Sequence, residues 1–116
     1  MKPITKYTDN VGGGTDTETN VSAMVDYLPL LAEFEIFGSR TYANSYEQNN
    51  QVQYKYYAAG NSKKKYRHSA TGSIAYWWER SPCYSNTYLF CLVVRNGNAD
   101  YNNAYLSRGI APALLV

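Results

Sequence analysis

The residue types that usually carry catalysis are few in this chain and poorly placed for it. The single histidine, His68, lies in a polar stretch between Arg67 and Ser69 and reads as an exposed loop residue rather than the base of a hydrolytic triad. Glu33 and Glu35 could be offered as an acid–base pair. On a helix, however, positions i and i+2 do not face each other, so two solvated glutamates are expected. Gly12-Gly13-Gly14 neither follows a strand nor opens a G-x-G-x-x-G pattern, so it is no phosphate loop. Cys83 and Cys91 are too few for a disulfide framework, and with one histidine they cannot complete a zinc site. They read as unpaired thiols; a bridge across a hairpin would need closely approaching Cα atoms. Asp100 stands alone in the C-terminal segment, where calcium would need clustered carboxylates. The expectation is a chain with no catalytic residues, no metal and no cofactor.

Two further groups could do recognition chemistry. Trp77-Trp78 could stack on a sugar, but neighbouring strand residues point to opposite faces, so at least one is expected in the core. Arg80 could stack on an indole or reach buried carbonyls, and a structural role that organises its loop is expected.

Composition points the same way. Of 116 residues 13 are Tyr and 11 are Asn, only 17% are charged, and the formal net charge is +2. That balance carries no nucleic-acid or membrane footprint. Tyrosine offers a large contact area with few rotors and asparagine offers adaptable hydrogen bonding, so the excess favours binding over catalysis. The longest strongly apolar run, Leu89–Val94, is six residues, far below the roughly 20 that cross a bilayer. The first ten residues hold no apolar signal-peptide core, which leaves the compartment open.

The elements that must position these residues follow from local patterns. Residues 1–27 are polar and turn-rich and read as an arm or surface loop with little core of its own. Residues 28–37 fit a short helix: Leu30, Phe34 and Phe37 share a face, Pro29 can start it, and Gly38 can stop it in the left-handed conformation. A polar loop or second helix covers 39–55, Tyr54–Tyr57 is a strand start or helix end, and Lys63–Lys65 is a solvated basic knot. Ile74–Trp78 reads as an aromatic strand broken by Glu79–Pro82. Tyr88–Val94 is a β-rich run and Asn96-Gly97 a hairpin turn. Asn102-Asn103 opens a loop, and Gly109–Val116 reads as a closing strand with Pro112 at an edge or entry. Helices first and antiparallel strands later make an α+β domain.

In this order, Leu31-Ala-Glu-Phe-Glu-Ile-Phe-Gly38, Tyr56-Tyr-Ala-Ala-Gly60, Trp77-Trp-Glu-Arg-Ser-Pro82, Phe90-Cys-Leu-Val93, Asn96-Gly97 and Ser107-Arg-Gly-Ile-Ala-Pro-Ala113 resemble a DUF6273-like domain of unknown function from gut bacteria and phages. Its pattern is W-W-x-R-S-P, then F-x-x-V-x-x-x-G, then G-V-x-P-A, and the resemblance covers residues 28–116. That domain is similar in turn to the C-type lectin fold of formylglycine-generating-enzyme-like proteins and of the variable proteins of diversity-generating retroelements. The resemblance implies one or two short helices, a small twisted antiparallel sheet and long loops. The oxidative activity of the formylglycine enzymes does not carry over, because Cys83 and Cys91 are eight apart rather than closely paired.

Retroelements rewrite adenines, and an Asn codon so edited becomes Tyr, Ser, Asp, His or Thr. From Tyr84 to Ser107, 11 of 24 residues are Tyr, Asn or Ser, interleaved with positions such as Phe90, Val93 and Gly97 that a scaffold needs. Strand alternation would hold the latter inside and leave the former free to vary. The candidate ligand-facing residues are Tyr84, Asn86, Tyr88, Arg95, Asn96, Asn98, Tyr101, Asn102, Asn103 and Tyr105. The competing reading is that Tyr and Asn are turn formers here, Asn96 above all. The expectation is a ligand-binding domain at 28–116, displayed on a phage tail or fibre or a bacterial surface. Its partner would be a protein or glycan receptor, with no nucleic acid and no membrane insertion, in a chain free to form a homo-oligomer. The alternative is a structural or decoration domain of a virion or surface protein, with residues 1–27 as an assembly arm.

Overall fold

The polar N-terminal segment is built into the domain. The computed structural model describes residues 2–10, 16–67 and 70–112. In it Ile4–Asp9 (β1) and Val21–Asp26 (β2) pair antiparallel, from Ile4 opposite Asp26 to Asp9 opposite Val21. Thr8 and Asp9 are buried, at 4% and 3% exposure. The expected arm is therefore corrected to a docked hairpin. Hydrophobic periodicity could not reveal it, because its anchoring is polar: the Lys6 ammonium reaches Glu35, while the Thr8 hydroxyl and the Asp9 N–H reach Glu47.

The helix expected over 28–37 forms at Glu33–Phe37 (α1), and Gly38 ends it at φ +69°. Pro29 does not start it; the helix opens after Ala32, whose N–H is accepted by the Glu35 carboxylate. A 3-10 helix, Ser45–Asn50, begins where the Asn44 side chain accepts the Tyr46 N–H. The ambiguous Tyr54–Tyr57 run is helical, as Lys55–Ala58 (α2).

The remaining strands are Lys65–Arg67 (β3), Ala70–Ala75 (β4), Trp77–Pro82 (β5), Leu89–Val93 (β6), Ala99–Asn103 (β7) and Gly109–Ile110 (β8). β3 pairs with β4, and a four-stranded sheet runs β7-β6-β5-β8, with β8 parallel to β5 and the other pairs antiparallel. The aromatic run Ile74–Trp78 is thus divided at Tyr76 between two sheets. Glu79–Pro82 does not end its strand. The break falls in the pairing instead: Trp78 opposes Leu92 but Pro82 opposes Phe90, so β5 carries two extra residues in a bulge. Asn102 and Asn103 belong to β7 rather than to a loop. The expected closing strand is seen only at Gly109–Ile110, before Pro112; residues 113–116, like His68 and the triple glycine, lie outside the described residues.

The apolar core is small: Leu31, Ile36, Tyr57, Trp77 and Val93, with Phe37, Tyr54 and Ala111 against it. Trp77 is the buried member of the tryptophan pair at 1% exposure, and its indole N–H donates to the Lys63 carbonyl at 2.9 Å. Beside this core sits a second interior made of carboxylates. Glu33, Glu35, Glu47 and Glu79 are all buried, between 0% and 3% exposed. The expectation of two solvated glutamates at 33 and 35 is overturned, because both side chains turn inward to donors that other elements supply.

Candidate ligand-binding surface

The carboxylates act as joints. Glu35 accepts from Lys6 on β1 and from Arg80 on β5, so one side chain ties the hairpin, α1 and the central sheet together. Arg80 extends this joint to the carbonyls of Leu30 and Tyr7, both at 2.9 Å. Arg80 lies within the bulge of β5, where its own N–H donates to the Leu31 carbonyl at 2.9 Å. Glu47 accepts from the Asp9 N–H at 2.8 Å and from the Ser81 hydroxyl. Glu33 accepts backbone N–H groups of Thr41 at 2.6 Å, Tyr42 at 3.0 Å and Ala43 at 3.2 Å. Such a carboxylate fixes an irregular loop as firmly as a strand partner would, because charged acceptors strengthen each bond.

That loop carries Tyr42. Ala43 makes an isolated bridge to Cys83, and the Tyr84 N–H donates to the Tyr42 carbonyl at 2.9 Å. The Tyr42 ring meets Tyr101 edge to face at 4.9 Å, and the Arg40 guanidinium lies 4.3 Å from the Tyr84 ring centre. Next to them, the Ala104 N–H donates to the Tyr88 carbonyl, which brings Tyr88 and Tyr105 to the same end of the β6–β7 hairpin. Tyr101, Tyr88 and Tyr105 are 41%, 71% and 82% exposed. A cleft of about 280 Å³ lies on the Phe90 side of the sheet, lined by Leu30, Trp78, Phe90 and Ala104 among others; of the tyrosine end only Ala104, next to Tyr105, borders it.

The ten sequence-chosen residues do not form one patch. Tyr84, Asn86, Tyr88, Asn102, Asn103 and Tyr105 gather at or near this end. Arg95, Asn96 and Asn98 belong to the tight turn at the other end, separated by strands of five residues, roughly 16 Å. Along β7, Tyr101 and Asn103 share a face and Asn102 points to the opposite one. Several amides are engaged locally. The side-chain oxygens of Asn86, Asn96 and Asn102 accept the N–H of Tyr88, Asn98 and Asn103. Turn chemistry therefore accounts for Asn86 and Asn96, with Gly97 at φ +87° completing the hairpin turn. Sequence reasoning missed Tyr42. It sits in a polar loop whose position depends on Glu33, and no local pattern announces it.

A model of the family described as "Domain of unknown function (DUF6273)" matches residues 2–116. The chain belongs to this family. The match takes in the β1–β2 hairpin, so the DUF6273 domain includes the segment that the resemblance, drawn over 28–116, left out. No curated protein and no solved structure matches the chain.

One further group in this DUF6273 chain was not legible in its sequence. Ligand atoms of Glu33, Glu79 and Cys91 lie within 4.8 Å of one another, all buried. These donor types are ones a zinc ion takes. The surroundings of Glu79 and Cys91, though, favour protons. Both Glu79 oxygens lack a hydrogen-bond partner among the described residues. Burial first, then the charges of Glu33 and Glu47, raise its carboxyl well above the usual range. Burial likewise pushes the Cys91 thiol up. Cys83 and Cys91 are both free and buried.

Proposed function

We propose that this DUF6273 chain is a non-enzymatic ligand-binding module of C-type-lectin-like character, displayed on a phage tail or fibre or on a bacterial surface. The Tyr-rich end of the β6–β7 hairpin is its recognition surface, with Tyr42, Tyr84, Tyr88, Tyr101 and Tyr105 as contact residues. The observation that carries this reading is the exposure of Tyr88 and Tyr105 at one end of the paired β6–β7 hairpin, with Tyr101 also exposed at the middle of β7. Aromatic rings held by a rigid scaffold give contact area at small entropic cost, and the 280 Å³ cleft that Ala104 borders can take an apolar side chain or sugar face. A protein or glycan receptor fits this surface. Retroelement diversification would act on the same outward positions.

Sequencing natural copies of the gene tests the reading. The expected result is substitution concentrated at Tyr84, Tyr88, Tyr101, Asn103 and Tyr105 and traceable to adenines, with Glu33, Glu35, Glu47 and Arg80 constant. Variation concentrated in residues 1–60 would refute it and favour an assembly or decoration role.

A further inference from the structure

The opposite end of the β6–β7 hairpin opens on a different surface. Lys65, Arg67, Arg95 and Arg108 line a groove of about 820 Å³ together with Tyr66 and Tyr76, and no acidic residue is among the described residues that line it. Four of the chain's 11 cationic side chains thus converge on one concavity of a protein whose net charge is only +2. The convergence has no internal explanation among the described residues. The ion pairs there are made by Lys6, Arg40 and Arg80, and none by the four groove cations.

The arrangement is ordered by ring faces instead. The Arg95 and Arg108 guanidiniums lie 5.2 and 4.9 Å from the centre of the Tyr76 ring. Lys65 lies 5.5 Å from the Trp77 ring and 5.8 Å from that of Tyr57. Cation–π contact holds these groups in place while leaving their charge uncompensated. The Arg108 Nε–H is shut away from solvent with no acceptor among the described residues. Two guanidiniums around one tyrosine form paired planar donor forks, which match the oxygens of carboxylate or sulfate groups.

The geometry points to a second binding site, a receptor groove for an acidic oligosaccharide bearing carboxylate or sulfate groups. A volume of about 820 Å³ suits a compact ligand of a few sugar units. A single-stranded nucleic acid would want a row of open aromatic faces along a basic track. Here Tyr76 is occupied by the two arginines and Trp77 is buried, which leaves only the exposed Tyr66. This groove is separate from the tyrosine end and does not rest on the reading given for it.

Calorimetric titration tests the assignment, with four probes at low salt: a heparin-derived sulfated tetrasaccharide, a trigalacturonate, neutral cellotetraose and a ten-residue oligothymidylate. The expected result is binding of the sulfated or the uronate probe, weakening as salt is raised, and none of cellotetraose. The stronger of the two acidic probes identifies which acid group the site takes. Arg95→Ala and Arg108→Ala should each weaken binding by about tenfold. Lys55→Ala, a charge loss outside the groove, should leave it unchanged. Arg67→Glu, at an exposed β3 position whose side chain makes no hydrogen bond or ion pair among the described residues, gives a further loss that does not depend on groove packing. Failure of both acidic saccharides to bind, equal affinity in Arg67→Glu and wild type, or tighter binding of the oligothymidylate would each overturn the proposal.

Discussion

The two ends of the β6–β7 hairpin are built from the same ten strand residues and present opposite chemistries. At one end the exposed groups are tyrosines, and the neighbouring Thr41–Ala43 loop is positioned by the buried Glu33 carboxylate. At the other end the exposed groups are cations, and they rest on aromatic rings next to the apolar core. Among the described residues the apolar core is small, and ion pairs and charged hydrogen bonds perform on one side what hydrophobic packing performs on the other. The tyrosine end should therefore respond to loss of a carboxylate, and the basic end to loss of an aromatic ring.

The largest effect is expected at Glu35. Replacing it by Ala leaves Lys6 and Arg80 buried without their shared partner, so unfolding free energy should fall by about 3–5 kcal/mol, measured by urea denaturation. A loss below about 1 kcal/mol would mean that the carboxylate interior is incidental. Glu33→Gln should cost about 1–3 kcal/mol, because an amide accepts the three loop N–H groups less well than a carboxylate. Its sharper signature is local. Amide exchange at Thr41–Ala43 should rise while exchange at Lys65–Arg67 stays unchanged; equal acceleration at both would dissolve the contrast between the ends.

Glu79 reverses the sign. Its folded carboxyl is raised above its unfolded value, so the folded state binds more protons. Its contribution to stability is complete below the unfolded pKa, near 4.3, and is lost as pH rises toward the folded value. Wild-type stability should therefore decline between pH 5 and pH 8, and Glu79→Leu should reduce that decline and raise stability at pH 8. Unfolding curves at the two pH values decide this; a variant less stable than wild type at pH 8 would show that the charged form is wanted there.

The smallest effects belong to the exposed rings. A double-mutant cycle on Tyr42 and Tyr101 should give a coupling of about 0.5–1.5 kcal/mol, as expected for an edge-to-face pair. Tyr88→Ser and Tyr105→Ser should each change stability by less than about 0.5 kcal/mol.

The same contrast explains what was legible in the sequence. The helix ending at Gly38, the β6 run, the turn at Asn96-Gly97 and the burial of one tryptophan were readable, because each rests on a local rule of period, turn chemistry or strand alternation. The hairpin at 4–26 was not, since its anchors, Glu35 and Glu47, lie dozens of residues away and polar anchoring leaves no apolar pattern. Glu33 and Glu35 looked solvated for a like reason: beyond the Ala32 N–H, their donors come from residues 41–43, 6 and 80. The candidate surface was half legible. Exposure of Tyr88, Tyr101 and Tyr105 followed from composition and strand pattern. The division of the ten residues between two ends, and the recruitment of Tyr42, required knowing which strand residues oppose one another. The groove was hidden because Lys65, Arg67, Arg95 and Arg108 are scattered in sequence, and the lysine run read as ordinary surface.

The most direct measurement compares the two ends in one experiment. Fluorescently labelled chain is scored for adsorption to a panel of intact gut bacterial cells, and for binding of acidic saccharide, in two double variants of confirmed wild-type stability. The account predicts that Tyr88→Ser with Tyr105→Ser abolishes cell labelling and leaves saccharide binding intact, while Arg95→Ala with Arg108→Ala does the reverse. Cell labelling that is absent in wild type, or that survives loss of both tyrosines, would contradict the assignment of the tyrosine end as the recognition surface.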